Sequence, residues 1–131
     1  MTVRIAGEVV SGKGVGASFT QTDWALKLFE EEFHIDPFPG TLNLRVRPTS
    51  LAAWRELASQ GKTFAAPTPQ SCDTKCYAVR MEHGHTKATG IIVLPLVADY
   101  ADDQIEIVAE VNLRDHFALG DGDLVTLHIQ P

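Results

Sequence analysis

Basic residues are the scarce ones in this chain. Eleven Lys and Arg stand against seventeen Asp and Glu, a formal net charge of -6. A protein that grips nucleic acid by electrostatics needs a basic face, so no nucleic-acid partner is expected. A small phosphorylated ligand stays open, because a few donors and a metal ion suffice to hold it. Cysteine is nearly absent. Cys72 and Cys76 are the only two, too few for a disulfide scaffold, and in a reducing compartment they are expected as free thiols. Long apolar runs are missing as well. The longest, Gly90 to Val97, is far too short to span a bilayer, so no membrane partner is expected. The first ten residues read as a strand and not as a charged head before an apolar run, which makes cytoplasmic the expected location. Internal repeats at solenoid periods and linkers are absent too. With 44% hydrophobic and 21% charged residues, residues 1–131 read as one globular domain with a real core.

What is present is organised around Pro37-Phe38-Pro39-Gly40-Thr41-Leu42-Asn43-Leu44-Arg45-Val46. Two prolines stiffen a turn and Gly40 permits a backbone angle that other residues resist. Alternation follows. Leu42, Leu44 and Val46 face one side of a strand, and Thr41, Asn43 and Arg45 the other. A hydroxyl and a carboxamide thus look the same way from a stiff platform and offer neutral oxygens suited to a hard cation. The same pattern also describes a turn entering a half-buried strand with a polar outer face.

Around this stretch, Val3 to Val10 is β-prone and leads into the glycine-rich Ser11 to Ser18. Thr20 to Phe33 has helical spacing, with Thr22 and Asp23 as the cap. Thr49 or Ser50 caps a second helix that carries Leu51, Trp54 and Leu57 in phase and stops at Gly61. Phe64 to Asp73, with Pro67 and Pro69, reads as an irregular loop. Lys75–Met81 and Lys87–Val97 flank a hairpin turn at Glu82–Thr86. Gln104 to Val111 alternates, placing Glu106 and Glu110 on its polar side. Leu113–Phe117 is one helical turn, and Gly120–Asp123 turns into a last strand, Leu124–Ile129. Strands outnumber helices, and the strand–helix alternation of a parallel α/β fold is not sustained. The expected class is mainly β: a compact domain, closed as a barrel, with one or two helices packed outside.

Several groups could carry chemistry. Gly12, Gly14 and Gly16 would let the backbone approach a phosphate, with Lys13 adding a charge, although neither the P-loop nor the dinucleotide spacing is met. Glu106 could accept hydrogen bonds from a ligand, or form a solvated carboxylate pair with Glu110. Gly120-Asp121-Gly122-Asp123 is a turn signal and lacks the remaining ligands of a calcium loop. Cys72, Cys76, His83 and His85 match no common zinc module, and nothing fixes a Cys–His hydrolase triad.

Taken in order, Gly7-x-Val9-x-Ser11-Gly12-x-Gly14-x-Gly16 with Phe19, Pro39-Gly40-Thr41-Leu42-Asn43-Leu44, Cys76-Tyr77-Ala78, Glu106-Ile107-Val108-Ala109, and Leu113-Arg114 with Leu119-x-Asp121-Gly122-Asp123-x-Val125 resemble the archaeal-type CTP-dependent riboflavin kinase family. The resemblance implies a six-stranded cradle-loop (RIFT-type) barrel. It implies transfer of the γ-phosphoryl of CTP to the 5′-hydroxyl of riboflavin, giving FMN and CDP with Mg²⁺. By the same resemblance Gly12, Lys13, Gly14, Val15, Gly16 and Ala17 would wrap the nucleotide phosphates. Val111, Asn112, Leu113 and Arg114 would recognise the cytosine. Thr41 and Asn43 would hold Mg²⁺, and Ala98 and Glu106 would face the flavin. No DNA-binding extension is expected ahead of the barrel, and no general base stands out. The sequence departs from the family pattern at Val97 and Ala98, where Arg and Thr are usual, at Val15, where Glu is usual, and in lacking a proline after Cys76-Tyr77. The acceptor half is therefore less well kept than the nucleotide half. A kinase of another small alcohol, or a non-catalytic nucleotide- or flavin-binding module, are the alternative readings.

Overall fold

The computed structural model describes residues 2–11, 22–68 and 72–131. Seven strands occur among them: β1 (Val3–Val9), β2 (Leu42–Val46), β3 (Thr63–Phe64), β4 (Thr74–His83), β5 (Thr86–Pro95), β6 (Gln104–Val108) and β7 (Leu124–Ile129). Three helices join them: α1 (Asp23–Phe33), α2 (Leu51–Ala58) and α3 (Leu113–Phe117), with a 3₁₀ turn at Pro48–Ser50 ahead of α2.

All pairings are antiparallel. The strand order is β4-β5-β6-β2-β1-β7, and β7 pairs back onto β4, so six strands close into a barrel. The two-residue β3 sits beside the start of β4, opposite Thr74 and Lys75. Closure leaves the six strands without a long unpaired edge.

Alternation builds the interior. Leu42, Leu44 and Val46 of β2 are buried, while Arg45 between them is exposed. Ile5, Met81, Ile92, Ile105, Leu127 and Ile129 meet them in one core, which Trp54 and Leu57 of α2 and Leu113 and Phe117 of α3 extend. A second cluster lies on the other face of β5 and β6. Ala25 and Phe29 of α1 cover Ile91, Val93, Val108 and Cys76 there. This explains why β5 and β6 read as nearly continuous apolar runs: both of their faces are covered. Gly90 is where β5 and β6 come closest. A Cβ there would lie 2.6 Å from the carbonyl oxygen of Val108.

Several boundaries differ from expectation. The hairpin is tighter, with β4 and β5 paired to His83 and Thr86 and Gly84 at φ 59°. Phe64 belongs to β3 and not to the irregular loop. Ser50 takes the cap position of α2, but its hydroxyl oxygen accepts from the backbone N–H of Ala6 at 3.0 Å. It ties the helix to β1 instead of capping it. The strand expected over Gln104–Val111 ends at Val108. Both cysteines are free, as expected, with Cys76 buried. Cys76 and His83 stand seven residues apart on the single strand β4, roughly 23 Å along it, which separates the members of the imagined zinc set.

Candidate functional site

The site is built where β2 runs beside β6. Register pairs Asn43 with Glu106 and Leu42 with Ile107. Leu42 and Ile107 point into the barrel, so Asn43 and Glu106 point out of it, side by side. Neither is solvated: Asn43 is 8% exposed and Glu106 0%. The expectation of a solvated Glu106–Glu110 pair is therefore wrong. Glu110 lies beyond the end of the strand and is exposed, whereas Glu106 is enclosed. Sequence spacing could not separate the two, because both fall on the even positions of the run.

Glu106 is held from two sides. The Thr41 hydroxyl donates to Oε1 at 3.2 Å, and the Tyr100 hydroxyl donates to Oε2 at 2.6 Å. Tyr100 keeps its proton: burial first, then the bond to Glu106, push its pKa well above the phenol range. Asn43 adds a third oxygen. Its Oδ1 is buried and has no hydrogen-bond partner among the described residues, while its amide nitrogen lies 3.5 Å from the Thr41 carbonyl oxygen. Buried polar atoms are nearly always satisfied. An orphaned side-chain carbonyl oxygen next to a hydroxyl whose proton is turned toward a carboxylate supplies hard oxygen donors of the kind a divalent cation takes.

The turn before β2 forms the second wall. The Phe38 N–H donates to the Ala109 carbonyl at 2.7 Å, and Gly40 sits at φ 97°, where other residues are strained. The chain from Phe38 to Leu42 and the segment Val111–Arg114 line one cleft of about 170 Å³. Thr41, Val111, Asn112, Leu113 and Arg114 are thus brought together by folding. Val111 and Phe38 are exposed at 45% and 44%, large apolar side chains at the rim that could stack on a flat ligand. Asn112 caps α3, its Oδ1 accepting from the Asp115 N–H at 3.2 Å.

Arg114 is only partly available to a ligand. Its Nη2 lies 2.7 Å from Asp121 Oδ1 and 3.3 Å from the Val10 carbonyl. The Ser11 hydroxyl donates to the same carboxylate at 2.7 Å. Arg114 first, then Ser11, hold the Asp121 carboxyl below its ordinary range. Val9 N–H to Asp123 O and Gly122 N–H to Val9 O, both 2.8 Å, complete a strap. The root of the glycine-rich segment is thereby tied to the 120–123 turn. Gly12, Lys13, Gly14, Val15, Gly16 and Ala17 themselves lie outside the described residues.

Ala98 is exposed in the connection between β5 and β6, and it lines neither this cleft nor the one beside Tyr100. That second cleft, about 330 Å³, is lined mainly by apolar groups, among them Trp54, Leu96, Val97 and Tyr100. Tyr100 is the residue that sequence spacing missed. The signal was its place before Glu106, but only the fold of the β5–β6 connection turns its hydroxyl onto that carboxylate.

Comparison with known proteins places the chain in a family. The family model for CTP-dependent riboflavin kinase, described as "Domain of unknown function DUF120", matches residues 9–129. The chain is 31% identical over 132 residues to a riboflavin kinase of Archaeoglobus fulgidus, covering 98% of this chain and 55% of that protein. It is 33% identical over 130 residues to one of Pyrobaculum arsenaticum (98% and 61%) and 32% over 133 residues to one of Methanosarcina mazei (98% and 57%). The chain thus spans somewhat more than half the length of these curated relatives.

Proposed function

Because the chain belongs to the CTP-dependent riboflavin kinase family, we propose that it transfers the γ-phosphoryl group of CTP to the 5′-hydroxyl of riboflavin, giving FMN and CDP. The observation that carries this reading is the buried Asn43 Oδ1, without a hydrogen-bond partner among the described residues, two residues along from Thr41, which itself lines the cleft shared with Val111–Arg114. In the reaction the acceptor oxygen bonds to the γ-phosphorus while the bond to the β–γ bridging oxygen breaks, and CDP leaves with that bond's electron pair. Such a transfer asks for positioning and charge neutralisation more than for a strong base.

Each part of the chain has a task in this reading. Phe38 and Val111 cover the base, and backbone groups of Val111–Arg114 read its edge. The glycines of Gly12–Ala17 wrap the phosphates. Thr41 and Asn43 would hold Mg²⁺, which, when bound, supplies charge neutralisation at the phosphate oxygens. Glu106 fixes the Thr41 hydroxyl so that its lone pairs, and not its proton, face the metal space, and Tyr100 fixes Glu106. The apolar cleft beside Tyr100 suits the flat body of a flavin.

The test is a product assay: riboflavin, Mg²⁺ and either CTP or ATP, with FMN and the nucleoside diphosphate separated by chromatography. FMN forming with CTP in preference to ATP is expected. No FMN with either nucleotide at high enzyme concentration would sink the riboflavin reading. One observation favours a second reading, a kinase of a different small alcohol. Ala98 offers no side-chain donor and is turned out to solvent, so the flavin contact that the family makes there is lost. CTP consumption with another alcohol, together with no riboflavin binding, would select it.

A further inference from the structure

A separate cleft lies away from Thr41, Asn43 and Glu106. It encloses about 600 Å³ on the outer face of β4, β5 and β7, and shares only Ala109 and Val111 with the nucleotide cleft. Its floor follows from register. Ala78 stands opposite Ile91, and one step along, Arg80 stands between His128 and Thr89. The next step places Glu82 opposite Lys87. Side chains in direct register stand about 5 Å apart and diagonal ones about 7–8 Å. Arg80 therefore stands centrally on the floor, with His128 directly across on one side, Thr89 directly across on the other and Lys87 diagonal to it. Phe33 and Ile35, at and beyond the end of α1, wall the apolar side next to Ile91.

The charges here are not spent on one another. The His128 ring lies 3.2 Å from Glu82, which accounts for that acid. Arg80 and Lys87 make no side-chain hydrogen bond or ion pair among the described residues. Their neighbours in the acidic chain are different: Arg47, Arg55 and Arg114 each sit within 3.1 Å of a carboxylate oxygen. Glu110 also lines the cleft, but Arg80 and Lys87, without an ionic partner among the described residues, give it two available cations on a protein of net charge -6. Concavity with low-dielectric walls concentrates that field. Half of the cleft is apolar, so inorganic phosphate alone would leave it unfilled.

We propose that this cleft is a second ligand site, for a small organic anion whose flat apolar body lies on Ala78, Ile91 and Phe33 while its anionic group is held by Arg80 and Lys87. This site is separate from the nucleotide cleft and does not depend on the phosphoryl-transfer reading.

The probe is 8-anilino-1-naphthalenesulfonate, an aromatic sulfonate, with its uncharged analogue N-phenyl-1-naphthylamine as control. Fluorescence titration of the intact chain is expected to show saturable binding of one sulfonate, with the neutral analogue at least about tenfold weaker because a charge-assisted contact is lost. Arg80→Ala and Lys87→Ala should each weaken the sulfonate by about tenfold, whereas Arg80→Lys retains most of the affinity. Amide shifts in nitrogen–proton spectra should centre on Thr89, Ile91 and Gln130. Excess CDP should leave the sulfonate bound. Equal binding of the two dyes, indifference to both alanine substitutions, or displacement of the sulfonate by CDP would each overturn the proposal. Circular dichroism melts of the variants show whether each is folded, and the side chain of Arg80 is exposed, so its removal leaves the core intact.

Discussion

Asn43 keeps its side-chain Oδ1 buried and without a partner among the described residues. A group in that state costs stability, roughly 1–3 kcal/mol when nothing satisfies it. Asn43→Ala should therefore unfold in urea no earlier than the natural chain, while metal-dependent activity falls by about a hundredfold or more, near 3 kcal/mol in the barrier. If both activity and Mg²⁺ dependence survive, the assignment of Asn43 to the metal is wrong. Tyr100 makes the opposite case. Its hydroxyl donates a 2.6 Å bond to buried Glu106, so Tyr100→Phe, which removes that bond, is expected to lower the unfolding free energy by about 1–3 kcal/mol, read from the urea midpoint. Buried Cys76 is pushed up to about 12 by desolvation. A thiol raised in the fold contributes stability that is whole below its unfolded pKa, near 8.5, and is lost as pH rises through the folded value. At pH 8 an aromatic disulfide reagent should accordingly titrate one thiol per native chain, Cys72, which is half-buried, and reach Cys76 only on unfolding. Two thiols reacting at the same rate would contradict the burial.

At the scale of elements, much of the fold was readable where burial is one-sided. Leu42, Leu44 and Val46 alternate because one face of β2 meets the core, and Trp54 and Leu57 recur because one face of α2 does. Legibility ended where an element is covered twice. In β6, α1 packs over Val108 while Ile105 and Ile107 fill the barrel, so the pattern carries no sign of which even-numbered residue is solvated. Glu106 and Glu110 looked alike for that reason. The Thr41–Asn43 pair was legible because a rigid turn precedes it. The Tyr100–Glu106 contact was not, since it depends on the path of a connection that has no periodicity. Gly90 was likewise just one apolar letter in a run. Its lack of a Cβ leaves room for the Val108 carbonyl of β6, and Gly90→Ala should cost about 1–3 kcal/mol, as overpacking does. A thermal melt unchanged by that substitution would mean that the strands can part freely at this point.

At the scale of the molecule, closure decides how the fold opens. β7 pairs with β1 along six register positions, Val3 to Glu8, and with β4 along four, Val79 to Glu82. A last strand bound on one side would fray. Bound on both, it can leave only by opening the barrel. Amides of Val125, Leu127 and Ile129 should therefore exchange with solvent as slowly as those of β5, by way of global unfolding. Faster exchange in β7 alone would show that the closing seam is a separate, weaker unit. No helix among the described residues is long and apolar enough to cross a membrane, and the surface ion pairs, all at least partly exposed, add little to this cooperativity.

Thr2 and Gln130 join hands across the seam, Gln130 Nε2 donating to the Thr2 hydroxyl at 3.0 Å. The two ends of the barrel chain are thus already neighbours, and the polypeptide is nearly a ring with one nick. A few glycines could seal the nick, and a new one could be cut at the exposed hairpin tip Gly84–His85. Circular permutation of that kind would keep every strand pairing and change only which strand leaves the ribosome first.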